Sequence, residues 1–234
     1  MERLTNIKQI LFDADDTLWE NNIYYVRASS DFFDMVVRGG FSIREVEKEF
    51  DELELRVVRE RGYGSHNFVY ILEELYRRYK TRGLKAEEEQ FRQIIQRFTN
   101  HPVTPPKLFE GVGETLKYLN AKYDCFILTK GEYEEQKGKI CRSGLRDLVN
   151  DFFIVAEKDD QAYSALIAKH GWKAEETCMV GNSPKSDINP ALRLGLYAIH
   201  IPYHDTWKLD DEPIQSINSR LIVLPQFKDL RKVF

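Results

Sequence analysis

Asp13 and Asp15 stand two residues apart where a short apolar run, Gln9-Ile10-Leu11-Phe12, stops abruptly, and Thr17 follows them closely. Side chains of related chemistry close other apolar runs. Thr129 and Lys130 follow Cys125-Phe126-Ile127-Leu128, Lys158 comes just after Phe153-Ile154-Val155-Ala156, and Asn182, Ser183 and Asp187 come after Cys178-Met179-Val180 and Gly181. Carboxylates gathered with a lysine and hydroxyls suit a phosphate held with a divalent cation. The cation and the lysine neutralise charges that would otherwise repel one another.

The residues converge only if the elements that carry them do. Each apolar run reads as a buried strand whose carboxyl end emerges at a site, and Tyr197-Ala198-Ile199-His200-Ile201 before Pro202 supplies a fifth. Helical periodicity separates the later strands. Val112, Leu116 and Leu119 share one face, as do Tyr163, Leu166, Ile167 and His170, then Ile188, Ala191 and Leu192 ahead of a helix-stopping Gly195. This alternation predicts an α/β fold, a doubly wound (Rossmann-like) parallel sheet with helices on both faces. In such a sheet the side chains just beyond the strand carboxyl ends meet in one crevice.

More than a hundred residues separate the first strand from the second, far more than one crossover needs. Four helical patterns fill them, marked by Phe32, Phe33, Val36 and Val37; by Val46, Phe50, Leu53 and Val57; by Phe68, Ile71, Leu72, Leu75, Tyr76 and Tyr79; and by Phe91, Ile94, Ile95 and Phe98. His101-Pro102-Val103-Thr104-Pro105-Pro106 reads as a stiff linker back to the sheet. The expected organisation is a sheet domain of residues 1–18 and 105–234 with an all-helical domain, 19–104, inserted into it. No internal repeat interrupts this pattern.

Composition narrows the function classes. A chain of 234 residues with 42% hydrophobic and 31% charged residues can build a sizeable core, and its net charge of −4 provides no bulk attraction to nucleic acid or an anionic membrane. Three cysteines without a C-x-x-C pair suggest neither a disulfide framework nor a zinc ribbon. No secretion signal is visible near Met1, and no apolar run approaches the ~20 residues of a spanning helix. A cytoplasmic protein is expected, either monomer or homodimer.

Asp13-Ala14-Asp15-Asp16-Thr17 resembles the first motif, D-x-D-x-T, of the haloacid dehalogenase superfamily. Leu128-Thr129-Lys130-Gly131 resembles the second motif, Lys158 matches the third-motif lysine, and Gly181-Asn182-Ser183-Pro184-Lys185-Ser186-Asp187 resembles the fourth, acidic motif. The resemblance covers residues 7–18 and about 105–205, and the helical insertion falls where that superfamily places its C1 cap. It implies that Asp13 is a nucleophile forming an aspartyl phosphate and that Asp15 is the acid and base beside it. It further implies Mg²⁺ held by Asp13, the main-chain carbonyl of Asp15 and the fourth motif, Asp187 above all. Thr129 and Lys158 would hold the phosphoryl oxygens, with Thr17, Lys130 and Asn182 as further substrate-binding candidates.

One residue departs from the pattern. Many members have Asp where this chain has Asn182, and a neutral amide attracts a cation less, so Asp187 is expected to carry more of the metal binding. The expected activity is hydrolysis of a small phosphorylated metabolite, a sugar phosphate or nucleoside monophosphate. A phosphomutase uses the same two carboxylates and remains an alternative; a metal-free 2-haloacid dehalogenase lacks the second Asp, and a purely phosphate-binding protein needs no proton donor. Three other motifs fail on their spacing. A calcium loop from Asp13 lacks its Gly and Glu, a phosphate loop over Gly131–Lys139 has Tyr133 where Gly is required, and Pro202 separates His200 from His204.

Overall fold

The computed structural model describes residues 4–101, 104–215 and 219–234. The chain divides into two units, Met1–Asn22 with Pro106–Phe234 and Ile23–Pro105. Among the described residues the first contains six strands: β1 (Gln9–Phe12), β2 (Asp124–Lys130), β3 (Asp151–Val155), β4 (Thr177–Gly181), β5 (Tyr197–His200) and β6 (Leu221–Val223). All neighbours pair in parallel in the order β3-β2-β1-β4-β5-β6. This is the expected doubly wound sheet with one strand more than the sequence pattern indicated. β6 is a run of only three residues, too short to show a period, and its pairing with β5 defines it.

Alternation along the strands sends side chains to opposite faces. Ile10, Phe12, Cys125, Ile127, Cys178 and Val180 pack with α5 (Val112–Asn120) and with Phe227 and Leu230 of the C-terminal 3₁₀ turn. Leu11, Leu128 and Met179 face the other way, against Tyr163 and Leu166 of α7 (Asp160–His170) and against Ala191 of α8 (Asn189–Arg193). The predicted helix at Ile188–Leu192 begins earlier, as a π-helical turn over Pro184–Ile188. One further helix, α6 (Tyr133–Arg142), starts where Glu132 accepts hydrogen bonds from the N–H groups of Glu134 and Glu135.

The sheet unit extends to Asn22 rather than ending at residue 18. Trp19 is completely buried in the sheet core, and the Asp16 carboxylate accepts the backbone N–H groups of Asn21 and Asn22 at 2.9 and 3.0 Å. Asp16 itself adopts the left-handed conformation, with φ 62°, which Asp tolerates better than most residues.

The helical unit holds α1 (Asn22–Arg38) from its second residue, α2 (Ile43–Arg61), α3 (Ser65–Thr81) and α4 (Glu88–Thr99), one for each periodic segment. Its own core joins Phe32, Val46, Leu53, Leu72, Leu75 and Tyr79. Tyr24 stacks on His101 and Tyr25 packs edge-on against Phe68 and Phe98, so both serve this packing. The turn between α2 and α3 is tied from within, as Asn67 Nδ2 donates to the carbonyls of Arg61 and Gly62. Pro102 and Val103 of the expected linker lie outside the described residues. Among the described residues no helix is long and apolar enough to cross a membrane.

Candidate active site

The strand order reverses around β1, which leads to β2 on one side and lies against β4 on the other, and a crevice opens at such a switch point. Phe12 pairs with both Ile127 and Val180, and Asp13 N–H still donates to the Val180 carbonyl at 2.9 Å. The first carboxylate is therefore anchored by the sheet at the centre of its carboxyl edge. Lys158, in the turn after β3, places Nζ 2.5 Å from Asp13 Oδ1 and 2.5 Å from Asp187 Oδ1. Thr17 Oγ1 lies 2.8 Å from Asp13 Oδ2 and 3.1 Å from Asn182 Oδ1, and Ser183 N–H donates to Asp187 Oδ2 at 2.9 Å.

Gly181 makes room for this arrangement. A Cβ there would stand 2.2 Å from Asp187 Oδ2, so any side chain would displace the second carboxylate. His200, on β5, meets the Asn182 carbonyl through Nε2 at 3.0 Å and steadies the same loop from the side, donating from that nitrogen because a carbonyl only accepts.

Burial dominates the electrostatics. The Asp13 carboxyl is pushed up from 3.8 to about 7, first by desolvation and then by the Asp187 charge, with Lys158 and Thr17 opposing. Desolvation also raises Asp187. Burial works against the charge of Lys158, yet the two carboxylates outweigh it and hold its ammonium above the ordinary value. Two buried carboxylates thus face a single ammonium, which leaves room for further positive charge.

Among the described residues no three His, Cys, Asp or Glu side chains form a metal cage. Mg²⁺ does not require one, since it is commonly held by one or two carboxylates together with water and substrate phosphate oxygens. Asp13, Asp187 and the Asn182 amide oxygen are hard oxygen donors of that kind. The donor set and the unbalanced negative charge both fit a magnesium ion.

The remaining sequence candidates divide. Thr129 is buried near the end of β2, two positions past Ile127, the partner of Phe12. Lys130 points its ammonium to Asp210 at 2.6 Å and Ser186 at 2.9 Å. Neither contact is to a residue of the Asp13 cluster; they bind the end of β2 to the π-helical turn after β4, at Ser186, and to the segment after β5, at Asp210. Asp15 is engaged on a different side, where Oδ1 accepts from Trp19 Nε1 at 2.7 Å and Oδ2 from Gln136 Nε2 at 2.8 Å. Lys139 Nζ reaches both oxygens, at 2.8 and 2.7 Å.

Burial opposes ionisation of Asp15, but the charge and hydrogen bonds of Lys139, together with the hydrogen bonds of Gln136 and Trp19, overcome it and hold the carboxyl below its ordinary value. Gln136 and Lys139 were not anticipated from the sequence. The available signal was their spacing with Ile140 on the buried face of α6, where apolar residues would be expected.

The sequence pattern of the family described as haloacid dehalogenase-like hydrolases matches residues 7–195. The chain belongs to this family. It is 26% identical over 236 aligned residues to the glyceraldehyde 3-phosphate phosphatase of Pyrococcus furiosus, covering 97% of this chain and 94% of the relative. It is 25% identical to the protein of the same name from Methanocaldococcus jannaschii, covering 97% and 99%. Among solved structures, a haloacid dehalogenase-like family hydrolase from Xanthomonas campestris superposes with a TM-score of 0.80 at 28% identity, covering 97% of this chain and 90% of the other. In this member of the hydrolase family the fold brings Asp13, Thr17, Lys158, Asn182 and Asp187 together at the carboxyl edge of the sheet.

Proposed function

We propose that this hydrolase is a phosphatase that cleaves a small phosphomonoester through an aspartyl phosphate on Asp13. The observation that carries the reading is the Asp13–Lys158–Asp187 cluster at the sheet switch point, with Asp15 two residues from the nucleophile. The names of the relatives support a phosphate ester as substrate and put glyceraldehyde 3-phosphate first among those to test.

In the first half-reaction an Asp13 oxygen attacks phosphorus, and the bond to the ester oxygen breaks as Asp15 gives that oxygen a proton. In the second, Asp15 takes a proton from water as the water oxygen attacks phosphorus, and the bond to Asp13 breaks to release inorganic phosphate. Lys158 and Thr129 would stabilise charge on the phosphoryl oxygens, while Thr17 orients Asp13. Asp13, Asp187, Asn182 and the main-chain carbonyl of Asp15 would hold Mg²⁺, which supplies charge neutralisation at the phosphoryl group.

The test is release of inorganic phosphate from a panel of three-carbon phosphates, sugar phosphates and nucleoside monophosphates, with Mg²⁺ or with EDTA, beside Asp13→Asn. Hydrolysis lost with EDTA and in the variant is expected. Turnover that persists in Asp13→Asn would refute the covalent route, and an isomerised phosphate ester as product would indicate a mutase.

A further inference from the structure

Resting on that reading, we propose that Lys130 and Asp210 are positioning residues for Asp187: they clamp the π-helical turn that carries this carboxylate and so set how tightly the site takes Mg²⁺. The turn spans Pro184–Ile188. The N–H groups of Asp187 and Ile188 both donate to the Ser183 carbonyl, at 2.9 and 3.2 Å, and Ser183 Oγ accepts the Ser186 N–H at 3.0 Å. Such turns are rare and concentrate at functional sites. One so short has little cooperative helix of its own to hold it and takes its shape from its neighbours.

Those neighbours are the end of β2 and the segment after β5. Lys130 Nζ lies 2.9 Å from Ser186 Oγ and 2.6 Å from Asp210 Oδ1. Asp210 closes a turn of its own, its N–H donating to the Trp207 carbonyl at 2.8 Å, and the Trp207 ring centroid lies 5.7 Å from the Lys130 ammonium. The same segment grips the residue before Ser186. Lys185 Nζ donates to the Leu209 carbonyl at 2.9 Å, and the Lys185 N–H donates to the Asp210 carbonyl at 3.4 Å. Tyr163 Oη of α7 donates to the Ser186 carbonyl at 3.0 Å. Lys185 and Ser186 are therefore fixed by both side chain and main chain, and Asp187 is the next residue.

These contacts end in the Asp13 cluster itself. Asp187 is completely buried, with Oδ1 2.5 Å from Lys158 Nζ and Oδ2 accepting the Ser183 N–H at 2.9 Å. The Lys130 and Asp210 side chains are 13% and 12% exposed, so water and salt screen their ion pair little. Mg²⁺ demands nearly ideal octahedral geometry and tolerates a displaced ligand poorly. Loss of a group that orients a metal ligand typically costs about 10–100-fold in affinity. Lys130 and Asp210 act through the residue before the ligand, which points to the lower end of that range.

The experiment measures binding of Mg²⁺ alone by calorimetry, and phosphate release against Mg²⁺ concentration, in wild type, Lys130→Met, Asp210→Asn and the double variant Lys130→Met/Asp210→Asn. The double variant removes the ion pair without changing net charge, so it separates position from charge. Its Kd for Mg²⁺ should rise about 10-fold, and its phosphate release should recover at saturating Mg²⁺. Asp210→Asn should bind at least as weakly, because the ammonium left beside the turn repels a cation; in Lys130→Met the remaining carboxylate offsets part of the loss, which stays a loss. An unchanged Kd in the double variant, or tighter binding than wild type in Lys130→Met, would overturn the clamp and leave only the field of the two charges. A lower melting temperature with an unchanged Kd would overturn it in favour of a merely structural role. A raised KM for the phosphate ester in Lys130→Met, again with an unchanged Kd, would make Lys130 a substrate contact instead. Mg²⁺ binding by a wild type that hydrolyses no phosphate ester would overturn the phosphatase reading alone, since the comparison of Kd values needs no turnover. No Mg²⁺ binding by the wild type would overturn the metal assignment and this inference with it.

Discussion

Replacing Lys158 by methionine tests whether the cluster is held by charge. Its ammonium lies 2.5 Å from one oxygen of Asp13 and of Asp187, and the side chain is 2% exposed. Removing it leaves two buried carboxylates facing each other without a cation. Breaking a buried pair in this way typically costs about 3–5 kcal/mol. Protonation limits the loss: Asp13 already titrates at about 7 with the lysine present and must rise further without it. A carboxyl with a higher pKa in the folded than in the unfolded state takes up protons on folding, so its contribution to stability falls as pH rises through that interval. The deficit should therefore be near 3 kcal/mol or above at about pH 8 and clearly smaller at about pH 6.

The assay is urea unfolding followed by tryptophan fluorescence, which reports the sheet unit alone because Trp19, Trp172 and Trp207 all lie in it. Mg²⁺ should stabilise the variant more than wild type, since no ammonium competes for the two carboxylates; a cation at ~100 times its Kd contributes about 2.7 kcal/mol. A deficit below about 1 kcal/mol that is the same at both pH values would refute this account.

Gly181→Ala should disable turnover while leaving the helical unit folded, because the new Cβ would collide with Asp187 at 2.2 Å; phosphate release with a circular dichroism control measures this, and full activity would show that the carboxylate position is unimportant. Asp187→Asn should abolish metal-dependent turnover, whereas Asn182→Asp should preserve or raise it, as read from rate against Mg²⁺ concentration. Asp13 must be ionised to attack, so kcat/KM at limiting Mg²⁺ should fall as pH drops through about 7, and saturating Mg²⁺ should move that limb to lower pH; a limb independent of the metal would argue against a shared site.

Parts of this site were legible from local pattern. An apolar run that ends in Asp13, or in Thr129, announces a buried strand and its carboxyl edge at once, because burial and side-chain chemistry change at the same residue. Other parts gave little local signal. Lys130 and Thr129 are adjacent and both follow an apolar run, yet Thr129 is buried in β2 while Lys130 turns to Asp210, eighty residues further on. β6 is too brief to display a period, and α6 carries polar residues on its buried face, so neither its inward side nor its purpose shows in hydropathy.

The order of strand ends along the chain already specifies that Asp13, Lys158, Asn182 and Asp187 share one edge, because a parallel sheet brings every carboxyl end to the same side. Which of those groups touch is a matter of packing. Lys158 settles between Asp13 and Asp187, and Lys139 and Gln136 close on Asp15 from more than a hundred residues away, through rotamers and burial that depend on all the surrounding elements together. A lysine on a solvated helix face and one buried against a carboxylate have the same local sequence character; only the folded chain, by withdrawing water from one of them, makes its partner compulsory.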